Sequence, residues 1–345
     1  MDDIGQSQSA HSITKLGLQD IGHSMDDNAL SCSYMLLTYN QEKTVAAAVQ
    51  SALEQTGLAI EIVISDDCSV DGTFEVIKKT VADYNGPHRI ILNRNDSNLG
   101  LAGNIAKAHE ISTGDVIIAA AGDDMSFPQR SQRIMDVFAN EHPLLVCSYA
   151  NVIGPDDQDI PGNSRTALFY HTTDLNKVAR SKSLYIGATG AWHRKLYEKY
   201  GPLDPDAYED LVLGFRAALE NRISVIQEEL VNYRLGSGLT SSDNYFEDIA
   251  SFQTRRMKGF VANQAIMRQR LKDAKTFKLP SNSKVWKILK KSSAKENLSL
   301  SYYQDSTFEF ILKSLRHPLF GLSIWYSEKR RERKMQRRID QKVVQ

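Results

Sequence analysis

Cysteine is scarce in this chain: three in 345 residues, Cys32, Cys68 and Cys147. Their number is odd, their spacing is wide, and none lies in a Cys-x-x-Cys pair or a Cys/His cluster. A disulfide framework is excluded and a structural zinc site disfavoured; a reducing, cytoplasmic setting fits. Long apolar runs are also missing. No stretch approaches the roughly 18 to 20 residues needed to span a bilayer. The first residues, MDDIGQSQSAHSITK, have neither a basic start nor an apolar centre and do not read as a signal peptide. Net charge is absent too: Lys+Arg and Asp+Glu are both 42, so the chain as a whole predicts no nucleic-acid partner. The balance is uneven, however. Residues 328–342 hold eight Lys/Arg against three Asp/Glu, which leaves the remainder mildly acidic.

What is present reads as a soluble globular protein, 41% apolar and 24% charged. Residues 1–30 are polar without periodicity and are expected to form a flexible leader. From Ser31, short apolar strands alternate with helices: SYMLLTYN, EKTVAAAVQSALEQ, EIVISDD, FEVIKKTVADY, RIILNRN, NIAKAHEIS, GDVIIAAA and QRSQRIMDVFANE. Ser126 and Pro128 read as start signals for the last helix. Strands apolar on both faces and separated by helices predict an α/β fold, a mostly parallel sheet of right-handed βαβ units. Ligands of such sheets sit beyond the carboxyl ends of the strands, where TYN, SDD, SNLG and GDD all fall. A further strand, LLVCSYANVI, follows. From about Tyr245 the chain reads as helical and polar, with a loose low-complexity patch from Lys278 to Lys295. The expected organisation is thus 1–30 leader, 31–242 catalytic α/β domain, and 243–345 helical extension with a basic tail.

Acidic pairs close or open these elements. Asp123-Asp124 end GDVIIAAAGDD; hard carboxylate oxygens there suit Mg²⁺ or Mn²⁺ shared with phosphate oxygens, although acids before a helix also favour its dipole. Asp66-Asp67 sit in SDDCSVDGT, where a carboxylate can accept from a ligand N–H or simply fill a turn capped by Asp71 or Thr73. Glu209-Asp210 open a helix-like run, LVLGF; a buried helix start can hold a general base rigidly. Arg216 is placed to pair with either acid, and Arg234 to contact phosphate or solvent. His193 and Arg194, in AWHRK, read equally as packing or functional residues. NLGLAGN contains only Gly100 and Gly103, so a GxGxxG fingerprint is lacking and a dinucleotide-binding dehydrogenase is disfavoured. TYNQEKTVAAA has one Lys and no Gly, unlike the loop a triphosphate-using nucleotidyltransferase needs.

Taken together and in order, Thr38-Tyr39-Asn40, Asp66-Asp67-Cys68-Ser69-Val70-Asp71-Gly72-Thr73, Asn98-x-Gly100-x-x-x-Asn104, Gly122-Asp123-Asp124 and Glu209-Asp210 resemble family 2 of the GT-A glycosyltransferases. The resemblance covers about Ser31 to Ser242. It implies an inverting hexosyl- or N-acetylhexosaminyl-transferase that uses a nucleoside-diphosphate sugar, a UDP-sugar foremost, in cell-envelope polysaccharide or lipopolysaccharide synthesis. It further implies that Thr38, Tyr39, Asn40, Asp67, Asn104 and Asp123 bind the nucleotide-sugar. Asp124 would stand in the metal-binding motif, Asp210 would be the base with Glu209 at the acceptor, and Gly190 and Trp192 would lie on the acceptor side. Two departures accompany it: GDD replaces a full DxD, and LGSG follows Tyr233-Arg234 where many relatives place a histidine. The rival is a non-catalytic scaffold of the same fold that binds partners through its C-terminal helices. The block HPLFGLSIWY followed by KRRERKMQRR sets apolar and aromatic residues beside a cationic run, the character of a helix lying on an anionic membrane. Residues 313–342 thus read in two ways: as a segment at the inner face of the cell membrane, holding a cytoplasmic enzyme near a lipid-linked acceptor, or as a solvated, partly disordered charged helix.

Overall fold

The structure, a computed structural model, describes residues 30–160, 167–236 and 248–343. The expected leader, but for Leu30, and the expected boundary at 242/243 lie outside the described residues. The chain begins with β1 (Cys32–Thr38), α1 (Val45–Leu53), β2 (Glu61–Asp66), α2 (Thr73–Val81), β3 (Arg89–Arg94), α3 (Gly100–Ile111) and β4 (Val116–Ala121). It continues through β5 (Met125–Ser126), α4 (Arg130–Glu141), β6 (Leu145–Ile153), α5 (Leu175–Val178), β7 (Gly190–His193), α6 (Arg194–Tyr200), α7 (Glu209–Leu219) and β8 (Ile223–Arg234). Four helices follow: α8 (Ile249–Thr276), α9 (Lys284–Gln304), α10 (Thr307–Ser314) and α11 (Pro318–Val343).

The eight strands form one sheet, ordered β3-β2-β1-β4-β7-β6-β8-β5. β1 runs parallel to β2 and β4, β2 to β3, and β6 to β8, whereas β7 and β5 are antiparallel to their neighbours. The period-two alternation of a strand sends Tyr34, Leu36, Ile62, Ile64 and Ile118 to one face, where they meet α1, α2 and α4. Met35, Val63, Ile117 and Ala119 go to the other face and pack among residues of α3, α7 and α8. With both faces covered, every residue of β2 is buried, which is why its centre, Ile62 to Ile64, is continuously apolar.

Several local expectations change. α3 begins at Gly100, not Asn104; Gly100 takes φ +70° there, a backbone open mainly to glycine. Ser126 does not cap α4. It pairs with the Tyr34 hydroxyl at 2.6 Å and accepts from Arg130 at 2.8 Å. The patch from Lys278 to Lys295 is not loose, because α9 starts at Lys284 and buries Val285, Trp286, Ile288 and Leu289. Their spacing makes one apolar stripe on an otherwise lysine-rich helix. The cysteines are free; Cys32 and Cys147 are buried, which pushes their thiols up to about 12 and leaves them unreactive.

Candidate active site

Parallel pairing puts the carboxyl ends of β1, β2 and β4 side by side. Thr38 is in register with Asp66, and Leu37 with Ala121. Backbone bonds extend the match one step: Asp67 N–H donates to the Thr38 carbonyl at 2.9 Å, and Gly122 N–H to that of Leu37 at 3.0 Å. β5 then turns back along the end of β8, Met125 opposite Asn232, which brings Tyr233 and Arg234 beside Asp123-Asp124. A cavity of about 440 Å³ opens there.

On one side it is lined by Thr38, Tyr39, Gln41, Asp67, Asn98 and Asn104. Asp67 Oδ1 accepts from Asn95 Nδ2 and from Leu99 N–H, both at 2.8 Å. Asn104 is fixed at both ends of its amide, accepting from Ser65 Oγ at 2.6 Å and donating to the Ser65 carbonyl at 3.1 Å. Asp66 is fully buried and works within the fold, bound to Thr38, the Ser69 N–H and hydroxyl, and Arg94. Asn40 lies next to the cavity-lining residues but is not among them. It takes φ +52°, a left-handed conformation that Asn tolerates, and its Oδ1 accepts from Val70 N–H at 2.9 Å. Its side chain therefore ties the β1 loop to the β2 loop.

Asp123 and Asp124 line the floor, 5% and 6% exposed. Asp124 Oδ1 accepts from Arg234 N–H at 2.8 Å, yet burial and then the Asp123 charge hold its carboxyl well above the usual range. Two acids so placed favour a cation between or beside them, so the donor set fits a divalent metal. Among the described residues no group of three or more His, Cys, Asp or Glu side chains gathers as a metal cage. Arg234 is neither exposed nor open to phosphate. It is 4% exposed, donates to the carbonyls of Asp123 and Pro155, and pairs with Asp157 at 2.5 Å.

The opposite wall holds Glu209 and Asp210, with Tyr185, Gly187, Trp192, Tyr208 and Tyr233. Burial, followed by the Glu209 charge, pushes Asp210 up to about 8, against the pull of the Leu211 N–H and Arg270. Burial raises Glu209 as well. Arg216 pairs with neither acid. It is fully buried and donates to Asp273 of α8 at 2.8 Å. The cation near Asp210 is Arg270, also from α8, whose guanidinium donates to the carbonyls of Leu211, Val178 and Ser181. A Cβ on Gly187 would come within 2.2 Å of a Glu209 oxygen, so any side chain there would push the Glu209 carboxylate from its place. Gly190 is buried in β7 behind the cavity wall, where a side chain would strike the Tyr185 ring. His193 and Arg194 are structural: His193 caps α6, and Arg194 donates to the carbonyls of Gly114 and Ser112.

Sequence reasoning missed Gln41, Tyr185, Tyr208 and Arg270, and singled out Tyr233 only as a landmark. Aromatic residues in YIGATGAW and AYED were the available signal for the tyrosines; an arginine inside a polar helix offers none. Tyr185 Oη and Trp192 Nε1 are buried and lack a hydrogen-bond partner among the described residues. Both side chains line the cavity, but these two polar atoms are themselves shielded from it.

The cavity thus lies at the carboxyl ends of a mostly parallel sheet, with acids on two opposing walls, the arrangement of an α/β enzyme site. The family model of glycosyl transferase family 2 matches residues 33–201. A relative from Escherichia coli, "UDP-Glc:alpha-D-GlcNAc-diphosphoundecaprenol beta-1,3-glucosyltransferase WfaP", is 39% identical over 237 residues, 68% of this chain and 89% of that one. The chain belongs to glycosyltransferase family 2. An uncharacterized glycosyltransferase of Nostoc sp. is 28% identical over 60% of this chain, which spans 65% of that relative's length. It spans 36% of the putative glycosyltransferase EpsE of Bacillus subtilis, which is 35% identical over 29% of this chain. Among solved structures, S. aureus TarS 1-349 in complex with UDP aligns with a TM-score of 0.53 at 14% identity, over 80% of this chain and 73% of that one. The mannosyltransferase PcManGT of Pyrobaculum calidifontis, in complex with GDP-Man and Mn²⁺, aligns at 0.50 and 15% identity, over 85% and 81%. The fold is shared with both.

Proposed function

We propose that this chain is an inverting glycosyltransferase that moves a sugar from a nucleoside-diphosphate donor, a UDP-sugar foremost, to a hydroxyl of a glycan or glycolipid in cell-envelope polysaccharide synthesis. The observation that carries this reading is one cavity with Thr38, Tyr39 and Asp67 on one wall, Asp123-Asp124 on the floor and Glu209-Asp210 on the other wall. Thr38, Tyr39 and Asp67 would bind the nucleoside, with Asp67 facing an N–H of the base, and Asn104 would lie toward the diphosphate. Asn40 would act by holding the loop that carries Tyr39. A divalent cation held by Asp124 and Asp123 would offset the charge that develops on the leaving diphosphate. The Mn²⁺ in the PcManGT complex and the two crowded, buried acids here support that cofactor.

Asp210 would take the proton of the acceptor hydroxyl as its oxygen attacks the anomeric carbon from the face opposite the diphosphate. The carbon–diphosphate bond breaks as the new glycosidic bond forms, and the proton stays on Asp210. Glu209 and Trp192 would position the acceptor. The E. coli relative's name describes a diphosphoundecaprenol-linked acceptor, and a lipid-linked acceptor is proposed here. The reaction would then take place at the cytoplasmic face of a membrane, with the enzyme peripheral to it. Residues 31–242 would supply the catalytic wall-to-wall site, and 243–345 would brace it.

A screen of UDP- and GDP-sugars against lipid-diphosphate-linked N-acetylhexosamine acceptors, read by nucleotide release, tests the proposal. Release that requires both donor and acceptor is expected. Isothermal titration separates the scaffold reading: no heat with UDP and Mn²⁺, alongside no release with any donor, would favour a non-catalytic protein. Asp124→Ala should bind UDP without the enhancement by Mn²⁺ seen in the parent chain.

A further inference from the structure

We propose that α10 and the first half of α11 form an elbow that docks on an anionic lipid bilayer. Phe308, Leu312, Leu315, Leu319, Leu322 and Tyr326 recur every three or four residues and are between 56% and 81% exposed. Elsewhere among the described residues, large exposed apolar side chains occur as scattered singles: Leu58, Val70, Leu99 and Tyr208. Scattered singles are ordinary; a continuous row marks an interaction surface. The row is not a sign of poorly packed helices, because the inward side of the same elbow is occupied. Phe310 and Ile324 are buried against Leu298 of α9, with Tyr302 and Phe320 beside them. The elbow is also capped: the Ser306 hydroxyl and Glu309 complete a capping box at the start of α10.

Charge identifies the occupant. Beyond the apolar row, Arg330, Arg333, Lys334, Arg337 and Arg338 of α11 are exposed. Two of the three acids of residues 328–342 are turned inward, leaving only Asp340 exposed among them. Glu328 is 3% exposed and bound to Arg256 and Tyr303, and Glu332 accepts from Tyr302 and Gln253. The outward face is therefore apolar and then cationic, complementary to acyl chains and anionic headgroups. A second copy of this chain would bring the same cations to the contact and be repelled. No described helix is long and apolar enough to cross a membrane, so α11, about 39 Å long at 1.5 Å per residue, lies along the surface.

The elbow is joined to the cavity. Leu298, on which it packs, lies two residues from Glu296, which is buried and pairs with Lys182 at 2.7 Å. Lys182 lines the cavity on the Tyr185 side. Docking through α10 and α11 would thus set the acceptor wall relative to the bilayer, as a lipid-linked acceptor demands; this orientation rests on the acceptor class proposed above, whereas the docking itself does not.

The test is flotation of the full chain with phosphatidylcholine vesicles, with and without phosphatidylglycerol, in the absence of donor and acceptor. The full chain should float with the anionic vesicles and far less with neutral ones, and added salt should weaken binding. Leu319→Glu/Leu322→Glu should cut the bound fraction about tenfold or more. Arg337→Glu/Arg338→Glu should also cut it and flatten the salt dependence. Both variants change exposed residues far from the cavity, so melting temperature and turnover of a water-soluble acceptor should match the parent chain. Parent protein that stays with the soluble fraction would overturn the proposal, as would equal flotation of Leu319→Glu/Leu322→Glu. Light scattering that shows a dimer dispersed by those two substitutions would assign the face to a second copy and overturn it too. Because flotation uses no substrate, its failure is separable from a failure of glycosyl transfer.

Discussion

Asp210 stands where a carboxyl is hard to ionise, whereas the general base proposed for it must be ionised. Its pKa, near 8 against an ordinary 3.8, means the folded chain holds that proton more tightly than the unfolded chain does. The stability this contributes is fully present below about pH 4 and is lost as pH rises through about 8. Asp210→Asn removes the titration. We expect its unfolding free energy by urea titration to exceed the parent's at pH 8 to 9 and to approach it in mild acid. Turnover should fall by about 10² to 10⁴; near-normal turnover would take Asp210 out of the role of base. For the parent enzyme, kcat at saturating donor should climb through the neutral range instead of levelling off near pH 5, since only the ionised acid accepts a proton. Tyr185 offers a quieter test. Its side chain lines the cavity, while its hydroxyl is buried and has no partner among the described residues. A buried polar group left unpaired typically costs about 1 to 3 kcal/mol, so Tyr185→Phe should leave the acceptor KM close to the parent's. Its melting temperature should hold or rise, because a buried unpaired group has been removed.

The helix α7 that carries Glu209 and Asp210 is secured from α8. Arg216, 0% exposed, donates to Asp273, also buried, and Arg270 donates to the Leu211 carbonyl one residue beyond Asp210. Breaking a buried pair by removing one partner typically costs about 3 to 5 kcal/mol. Asp273→Ala should therefore lose stability on that scale by urea titration, while exposed Lys78→Ala, from a surface pair with Glu75, should change little. These links also bear on what could be read in advance. β1, β2, β3 and β4 were legible because each is apolar on both faces and ends in polar turn residues, so Thr38, Asp67 and Asp123-Asp124 could be placed on one edge. β5 and β7 were not, being two and four residues long, too short for a period to emerge. Arg216 was paired with its near neighbours in sequence; its partner lies 57 residues away, a distance that local pattern does not carry. α9 was hidden by its lysines, although Val285, Trp286, Ile288 and Leu289 form a stripe at helical spacing.

At the scale of the whole molecule, the C-terminal helices belong to the same folded unit as the sheet. Ala265, Ile266, Met267 and Ala274 of α8 share a core with Met35, Ile117 and Phe215. A chain ended at residue 242 would expose that apolar face and leave Arg216 buried without its counter-charge. It is expected to be recovered mainly in aggregates, or to be cut rapidly by limited proteolysis under conditions where the full chain resists. A soluble, cooperatively melting 1–242 fragment would show that the extension is dispensable.

The attachment of Asp210's helix to residues 270 and 273 also orders events during synthesis. β1 to β4, with Thr38, Asp67 and the Asp123-Asp124 pair, have emerged from the ribosome well before α8. The acceptor wall cannot be completed until residue 273 is available to Arg216. Residues on both walls therefore wait on α8, and refolding chains should regain UDP binding and transferase activity together, in one phase.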